Sequence, residues 1–239
     1  MSFLTNPIRN MLIESLSISV RDKLLNRCSL IDWTFGEIVY EPYQVYENVY
    51  FPLSGFISLL TGVHDHQLLE MGLIGNEGML GVNQVLGVNH VSMQSLVQGT
   101  GQALALPVDQ FQRSLLDCPG LSSVLTRYTY VLMQQLAQAG VCLHFHDIEA
   151  RMARWLLMTQ DRSHGDRLYL THAFLARMLG VRRSSVSIAA EALQEKHLIK
   201  YTRGNICILD RKGLEAASCE CYQEMNKCYD KILNNSKSG

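Results

Sequence analysis

The sequence predicts an α+β fold in three parts: a β-roll preceded by short helices, one long helix, and a winged helix-turn-helix. Three observations predict it. Short apolar runs separated by Gly, Pro, Asn and Asp fill residues 30–107, as is typical of a strand-rich roll. Helical periodicity returns over residues 121–146, and a helix, a glycine, a second helix and a hairpin follow over residues 170–209. We therefore expect domains at 1–119, 120–147 and 148–239.

The helix-turn-helix is the most specific of these patterns. Thr171 is a suitable N-cap for the first helix, and Gly180 a suitable residue to end it. The second helix is expected to begin near Arg183. Its predicted buried face consists of residues at steps of four, three and four: Val186, Ala190, Leu193 and His197.

The start and the opposite face of the second helix are suited to reading DNA. In a helix-turn-helix, the N-terminal residues of this helix contact base edges in the major groove. Arginine can bind guanine with two hydrogen bonds, serine can donate or accept, and an apolar side chain can contact the thymine methyl group. The candidate DNA-binding residues here are Arg182, Arg183, Ser184, Ser185, Ser187 and Ile188, with Thr171 at the start of the preceding helix.

Two β-type runs follow, at residues 198–202 and 206–209, joined by the turn Arg203-Gly204-Asn205. A hairpin in this position is a wing, and Arg203 at its tip is suited to contacting phosphate. The competing interpretation is a helical hairpin in an ordinary core. The succession of glycine turn, Arg-Arg-Ser-Ser helix and basic hairpin favours the DNA-binding interpretation.

Charge is distributed unevenly along the chain. Residues 149–213 contain 12 Lys and Arg against 6 Asp and Glu, whereas residues 1–148 contain 6 against 12. The formal net charge of the whole chain is −1. This asymmetry is typical of a nucleic-acid-binding module attached to an acidic module.

The long helix carries a heptad-like stripe, which predicts packing against a second copy of the same helix. The alternative is that the stripe packs against the roll of its own chain. Two recognition helices about 34 Å apart would match successive major grooves, which favours a dimer. The predicted dimer-interface residues are Leu121, Leu125, Tyr128, Leu132, Gln135, Ala139 and Leu143.

Residues 171–209, preceded by the segment HDIEARMARWLL at 146–157, resemble the DNA-binding domain of the Crp–Fnr family of bacterial transcription regulators. The order of elements before them matches the family as well. The resemblance implies a cyclic-nucleotide-binding-like β-roll, and FPLSGFIS at residues 51–58 is similar to the family's strand–glycine–strand turn. It also implies that the long helix is the dimer helix.

The chain departs from the family pattern at the nucleotide site and at the DNA-reading positions. Met79 stands where the family has a ribose-binding glutamate, and no Lys or Arg occurs between Arg27 and Arg113. An anionic nucleotide would thus lack a fixed cation, so we expect no classical cyclic-nucleotide binding. Arg183 matches a family arginine, but Ser184 and Ile188 replace a glutamate and a second arginine. The operator should therefore differ from the family's best-known palindrome.

The sequence predicts no cofactor and no metal. The spacing of His64 and His66 resembles a metal site only weakly, and a haem ligand is no better supported. Seven scattered cysteines indicate free thiols in a reduced compartment, and too few precede the long helix for an iron–sulfur cluster of the Fnr type. Cys219, Cys221 and Cys228 fall in a predicted closing helix over 213–229. Because residues two apart on a helix point in different directions, we interpret these three as structural thiols.

These observations together predict a dimeric, sequence-specific transcription regulator in the cytoplasm that binds a palindromic operator. RNA polymerase is a further candidate partner, whereas no membrane contact and no enzymatic activity are expected. The alternative is a small-molecule, metal or haem sensing module whose helix-turn-helix mainly contacts proteins.

Overall fold

A computed structural model describes residues 10–62, 68–163, 165 and 167–234. The chain divides into two compact units. Among the described residues, the first comprises residues 10–59, 73–133 and 231–234, and the second comprises residues 60–62, 68–72, 134–163, 165 and 167–230. The domain boundaries predicted from the sequence, after residues 119 and 147, lie near helix ends and differ from the limits of these two units. The three-domain division stays a prediction.

The N-terminal unit begins with helix α1 (Met11–Glu14) and helix α2 (Ile18–Leu25). Asn10 caps α1, because its Oδ1 accepts hydrogen bonds from the Leu12 and Ile13 amides at 3.1 and 3.3 Å. Its Nδ2 donates to the carbonyl oxygens of Pro52 and Gly78. One buried asparagine therefore fixes the start of α1 against two parts of the roll.

The roll consists of two antiparallel sheets. Strands β1 (Ser29–Trp33), β7 (Gly101–Pro107) and β3 (Asn48–Pro52) form one sheet in that order. Strands β2 (Ile38–Tyr40), β6 (Gln94–Gly99), β4 (Phe56–Thr61) and β5 (Leu69–Ile74) form the other. A 3-10 helix at Val82–Leu86 lies between β5 and β6.

Apolar runs identify most of these strands but miss two. Strand β6 buries Gln94, Ser95 and Gln98, and most of β1 is exposed, so neither has a strongly apolar sequence. Their assignment depends on long-range pairing, with β1 against β7 and β6 against β2.

Two helices follow the roll, α3 (Val108–Asp117) and α4 (Pro119–Phe145). The C-terminal elements are then α5 (Ile148–Ser163), β8 (Arg167–Tyr169), α6 (His172–Leu179), α7 (Arg183–Glu195), β9 (Ile199–Thr202), β10 (Asn205–Ile208), α8 (Arg211–Ala217) and α9 (Cys221–Tyr229). A π-helical turn spans Asp230–Asn234. Within the described residues, no helix is long and apolar enough to cross a membrane.

Two details of the predicted helices are wrong. Helix α7 ends at Glu195, and His197 is exposed with a φ of 56°, so it does not extend the buried face. The closing helix predicted over 213–229 is broken, because α8 ends at Ala217 and α9 begins only at Cys221. Cys219 and Cys221 therefore do not lie on one continuous helix, and helical geometry does not turn them apart.

The stripe predicted as the dimer interface is buried within the single chain. The exposed fraction is between 0 and 9 % for Leu121, Leu125, Tyr128, Leu132, Gln135 and Ala139, and Leu143 is half-buried. The hydroxyl of Tyr128, for example, donates to the Met79 carbonyl oxygen at 3.4 Å. These six residues are not available to a second copy, and the intramolecular alternative describes them better. The apolar periodicity of α4 therefore identifies the face of the helix that packs within its own chain.

Helix α5 forms the core of the C-terminal unit. Ten of its sixteen residues are buried and none is exposed, including Trp155, whose indole Nε1 donates to Glu70 Oε1 at 2.6 Å. Helices α6, α7, α8 and α9 all contact it. The helix-turn-helix thus rests on a helix that is covered on every side.

Gly180 provides a test of the turn between α6 and α7. Its φ is +63°, and an added Cβ would lie 2.5 Å from Leu69 Cδ1. We expect Gly180→Ala to lower the free energy of unfolding by about 1–2 kcal/mol, since an L-residue is strained in this conformation. Gly120→Ala is the control, because φ is ordinary and nothing lies within 4 Å. Urea unfolding followed by fluorescence measures both, and equal stability of the two variants would contradict the assignment.

Candidate nucleic-acid interface

The two helices of the motif are set by local caps. Thr171 Oγ1 accepts a hydrogen bond from the Phe174 amide at 3.2 Å and so caps α6. At the other end, Gly180 adopts the left-handed conformation, and the Val181 amide donates to the Ala176 carbonyl oxygen at 3.0 Å. Val186, Ala189 and other residues of one α7 face are buried. The opposite face of α7 is left for solvent.

The exposed residues of α7 coincide with most of those predicted from the sequence. Arg182, Arg183 and Ser184 are exposed, Ser185 is half-buried, and Ile188 is 67 % exposed. Ile188 is thus a large apolar side chain left exposed among polar neighbours. These residues form one continuous patch over the first turn and a half of the helix, here called the α7 patch.

The guanidinium groups in the α7 patch are electrostatically available. Neither Arg182 nor Arg183 forms an ion pair with any residue that the structure describes, and the same holds for Arg203. The unsatisfied amides at a helix N-terminus add a partial positive charge at the same place. This charge would favour an anionic group, such as phosphate, at the patch.

The wing is a three-stranded sheet in the order β8-β10-β9. Asn205 pairs with Thr202, so the turn between β9 and β10 contains only Arg203 and Gly204, both at positive φ. That is the geometry of a tight type I′ hairpin. Arg203 is exposed at the tip, and the exposed side chains of Arg167 and Lys200 lie on the same sheet. The predicted turn and its cation are thus present.

His172 was not identified from the sequence, yet it links three parts of the motif. Its ring stacks on Tyr201 of the wing at 4.2 Å between centroids, and its Nδ1 lies 2.9 Å from Ser187 Oγ on α7. Ser187 Oγ also donates to the Arg183 carbonyl oxygen at 3.2 Å, so the histidine donates from Nδ1. Ser187 is therefore held by the fold as well as placed at the predicted surface. Only a long-range contact between α6 and the wing reveals this role.

The pKa of His172 lies below its ordinary value of 6.5. Burial is the larger cause, and the positive charge of Arg183 adds to it. Its Nε2 is buried and has no hydrogen-bond partner among the described residues, so a proton there would be poorly solvated. The neutral imidazole is the form that fits this site.

Two arginines of α5, Arg151 and Arg154, make their contacts within the C-terminal unit. Arg151 is buried and donates to the Leu179 carbonyl oxygen at the end of α6. Arg154 is half-buried and its Nη1 donates to Met158 Sδ at 3.1 Å. Glu149, on the same helix, pairs with Lys196 rather than with either arginine.

A small cavity lies within the described part of the roll. Its volume is about 30 Å³, and Tyr46, Met79 and Leu132 are among the residues that line it. A space of this size holds about one water molecule. Met79 is fully buried, which matches its apolar character. His64 and His66, the weak metal candidates, lie outside the described residues.

Comparison with known proteins supports this geometry. The profile of the Crp-like helix-turn-helix domain matches residues 150–217. The chain carries this domain on a Crp/Fnr-type fold. FixK2 from Bradyrhizobium japonicum has 13 % identity and a TM-score of 0.68, with 80 % of this chain and 98 % of that chain covered. The Crp–Fnr resemblance and the α+β fold of roll, long helix and helix-turn-helix are confirmed.

Other solved structures agree on this Crp/Fnr-type fold. The c-di-GMP-responsive regulator CLP from Xanthomonas campestris has 15 % identity and a TM-score of 0.66, covering 81 % of this chain and 100 % of that one. A CRP-family regulator from Thermus thermophilus has 17 % identity and a TM-score of 0.66, with coverages of 79 % and 96 %. The comparison with curated protein sequences finds no match. CLP and the Thermus thermophilus protein are described as regulators. The prediction that the chain is not an enzyme agrees with its match to a helix-turn-helix domain.

The lowered pKa of His172 gives a prediction on pH. Because the folded state disfavours the protonated ring, its contribution to stability is present above the ordinary pKa and is lost as the pH falls below it. His172→Phe retains a ring on Tyr201 but does not titrate. We expect the melting temperature of the wild type to fall relative to that of this variant as the pH decreases from about 7.5 to about 5.5.

The control for this experiment is His197→Asn, which removes an exposed histidine and tolerates the positive φ at that position. The His197→Asn protein should follow the wild type at each pH. A constant difference between wild type and His172→Phe would contradict the assigned environment of His172.

Proposed function

We propose that this protein is a dimeric, sequence-specific DNA-binding transcription regulator. The single observation that carries the proposal is the α7 patch, in which two arginines without ion-pair partners among the described residues begin an exposed helix that the fold supports from behind. The basic wing tip lies in the same motif. The alternative is a helix-turn-helix that mainly contacts proteins, and it would be favoured if these arginines were buried or ion-paired. Arg182 and Arg183 are exposed, and neither forms an ion pair with a described residue.

Roles follow from the chemistry of the patch. Arg182 and Arg183 are suited to guanine O6 and N7, and Ile188 to a thymine methyl group. Ser184 and Ser185 can serve either a donor or an acceptor on a base or phosphate. Thr171 accepts from an amide with its hydroxyl oxygen, and its hydroxyl hydrogen remains for a phosphate. Arg203 on the wing supplies a phosphate contact.

Dimerisation is proposed through the exposed face of α4 rather than the buried stripe. Exposed residues recur along that face at steps of three and four, as in a coiled coil. Tyr130 and Met133 are 49 and 60 % exposed there, and Val141 is 46 % exposed further along. A second copy of α4 would cover these side chains. Two-fold symmetry then predicts a palindromic operator.

Control by a classical cyclic nucleotide is not proposed. The roll has a water-sized cavity, a buried methionine at the ribose position and no Lys or Arg between residues 27 and 113. A regulator of transcription in bacteria acts in the cytoplasm, and RNA polymerase is a candidate partner on promoter DNA.

The experiment that tests the proposal is selection of bound duplexes from a random library, using the full-length protein without added effector. We expect enrichment of a two-fold-symmetric site whose half-sites are about one helical turn apart. Weak, strongly salt-dependent binding with no enriched sequence would overturn the assignment of α7 as a sequence reader.

Two arginine variants separate reading from positioning. Arg183→Ala should weaken binding to the selected site by about 1–3 kcal/mol and relax the preference at one base pair. Arg203→Ala should weaken binding to all sequences about equally and reduce the salt dependence by about one phosphate contact. Fluorescence anisotropy on matched and mismatched duplexes at several salt concentrations measures both. Arg113→Ala, an exposed arginine of α3, is the control and should bind as the wild type does.

The dimer face has its own test. We expect Met133→Glu to produce a monomer, because two facing carboxylates would be placed in an apolar contact. Leu116→Glu is a matched control, since Leu116 is 84 % exposed but lies on α3. Light scattering after size exclusion distinguishes the two masses. If the Met133→Glu protein stays dimeric, the exposed face of α4 is not the dimer interface. If the wild type is a monomer that dimerises only with operator DNA, the dimer forms on the DNA.

A further inference from the structure

Four metal-ligating side chains come together near the end of the long helix α4. They are Cys142, His146, Cys219 and Cys221. One ligand atom from each lies within 4.8 Å of all the others. Within the described residues, this is the group of His, Cys, Asp and Glu side chains that could hold an ion. We infer that these four residues bind a single Zn²⁺ ion in a Cys₃His site.

The spacing of the donors fits one tetrahedral ion. Zn–S bonds of about 2.3 Å place two sulfurs of a tetrahedral site about 3.8 Å apart, and a sulfur and a nitrogen about 3.5 Å apart. The Sγ atoms of Cys142 and Cys219 are 3.6 Å apart. Cys221 Sγ and His146 Nδ1 are 3.5 Å apart. Two edges of the donor set thus already have the lengths that zinc coordination requires.

The secondary structure presents the donors toward one point. Cys142 is in the last turn of α4, and His146 directly follows the last residue of that helix. The His146 amide donates to the Cys142 carbonyl oxygen at 3.2 Å, so the two side chains lie one turn apart on the same face. Cys219 lies in the break between α8 and α9, and Cys221 begins α9. The three cysteines are buried, and Ala150 packs against them. A single helix over 213–229 would have turned Cys219 and Cys221 apart.

Neighbouring groups orient the donors in the manner of a second coordination shell. His146 Nε2 lies 3.1 Å from Glu220 Oε1, which directs the other ring nitrogen, Nδ1, toward the cysteines. Such carboxylate–histidine pairs are usual where histidine binds zinc. Gln138 Nε2 lies 3.0 Å from Cys221 Sγ and can donate to a thiolate there. The charge of Arg154 acts on Cys142 and offsets the net −1 charge of a Zn(Cys)₃(His) centre.

The donor set favours zinc over the other uses of clustered cysteines. A disulfide between Cys142 and Cys219 would use two of the four groups and leave His146 and Cys221 unexplained. A multi-iron cluster binds its cysteines to different irons, which needs a wider spread of sulfurs than 4.8 Å. Three sulfurs and one imidazole in a tetrahedral arrangement are typical of a closed structural zinc site. The ion would join the last turn of α4 to the α8–α9 connection.

The first experiment measures metal in the full-length protein purified under reducing conditions. We expect about one zinc per chain by elemental analysis. Replacement by Co²⁺ should produce sulfur-to-cobalt charge-transfer absorption and the visible bands of tetrahedral coordination. Metal-free wild-type protein that does not take up Zn²⁺ or Co²⁺ would overturn the inference. So would an intact mass showing a Cys142–Cys219 disulfide in protein kept reduced.

Variants assign the ligands. Cys142→Ser and His146→Gln should each lose stoichiometric zinc, and the first should also weaken the charge-transfer bands of any cobalt that still binds. The matched controls are Cys228→Ser on α9 and His144→Gln on α4, which lie outside the cluster and should retain zinc. Circular dichroism identifies a variant that fails to fold. Retention of full zinc by a folded His146→Gln protein would exclude His146 as a ligand.

Glu220 provides a test that does not remove a ligand. Its side chain is exposed and contacts the far nitrogen of the His146 ring. We expect Glu220→Gln to keep zinc on purification but to lose it to a chelator at about 10–100-fold lower chelator concentration. Glu224→Gln is the control, because Glu224 is an exposed carboxylate on α9 outside the cluster. An unchanged zinc affinity in Glu220→Gln would contradict the orienting role.

Discussion

The C-terminal unit depends on the burial of α5. A helix with no exposed residue has its packing fixed on all sides, and Trp155 and Leu156 are among the side chains that fill the surrounding core. Because this helix supplies the apolar contacts, α7 needs to bury only one narrow face. The other face can then carry serines, arginines and an exposed isoleucine without loss of the fold. The proposed DNA-reading surface is thus a consequence of where the hydrophobic burial is placed.

The cations of this unit divide into two groups with different tasks. Arg211 bonds to Gln160, Asp161, Glu215 and Tyr222, and so connects α5 to α8 and α9. Its pKa is raised because the partners, Asp161 first, outweigh the effect of burial. Arg182, Arg183 and Arg203 have no such partners among the described residues. The net charge of the unit does not distinguish the arginines that bond within the fold from those without partners. Their hydrogen-bond and ion-pair contacts do.

Local chemistry made the helix-turn-helix predictable. Thr171 and Gly180 act within one turn of their own positions, so their roles can be identified from neighbouring residues. The two-residue wing turn is local in the same sense. Strand β6 was not predictable from the sequence, because several of its buried residues are polar. It is recognised as a strand only by its pairing with β2 and β4.

The α4 stripe and the proposed zinc ligands mark the limit of sequence reasoning. A repeating apolar pattern on α4 shows that one face is covered, but the pattern is the same whether the cover is the chain itself or a second copy. Burial of Leu125 within the chain decides between them. Cys142 and Cys219 are 77 residues apart, and no local spacing joins them. Their proximity follows only once α5 and α8 are packed.

The wing tip affects the thermodynamics of binding. Arg203 and Gly204 occupy a two-residue turn, the Leu170 amide donates to the Gly204 carbonyl oxygen at 2.6 Å, and Gly204 is buried against Tyr169. The backbone that carries the arginine is thus ordered before DNA arrives. A flexible loop would lose about 1–2 kcal/mol of conformational entropy for each residue fixed on binding. Here that loss has already occurred during folding, and only the arginine side chain remains to be immobilised.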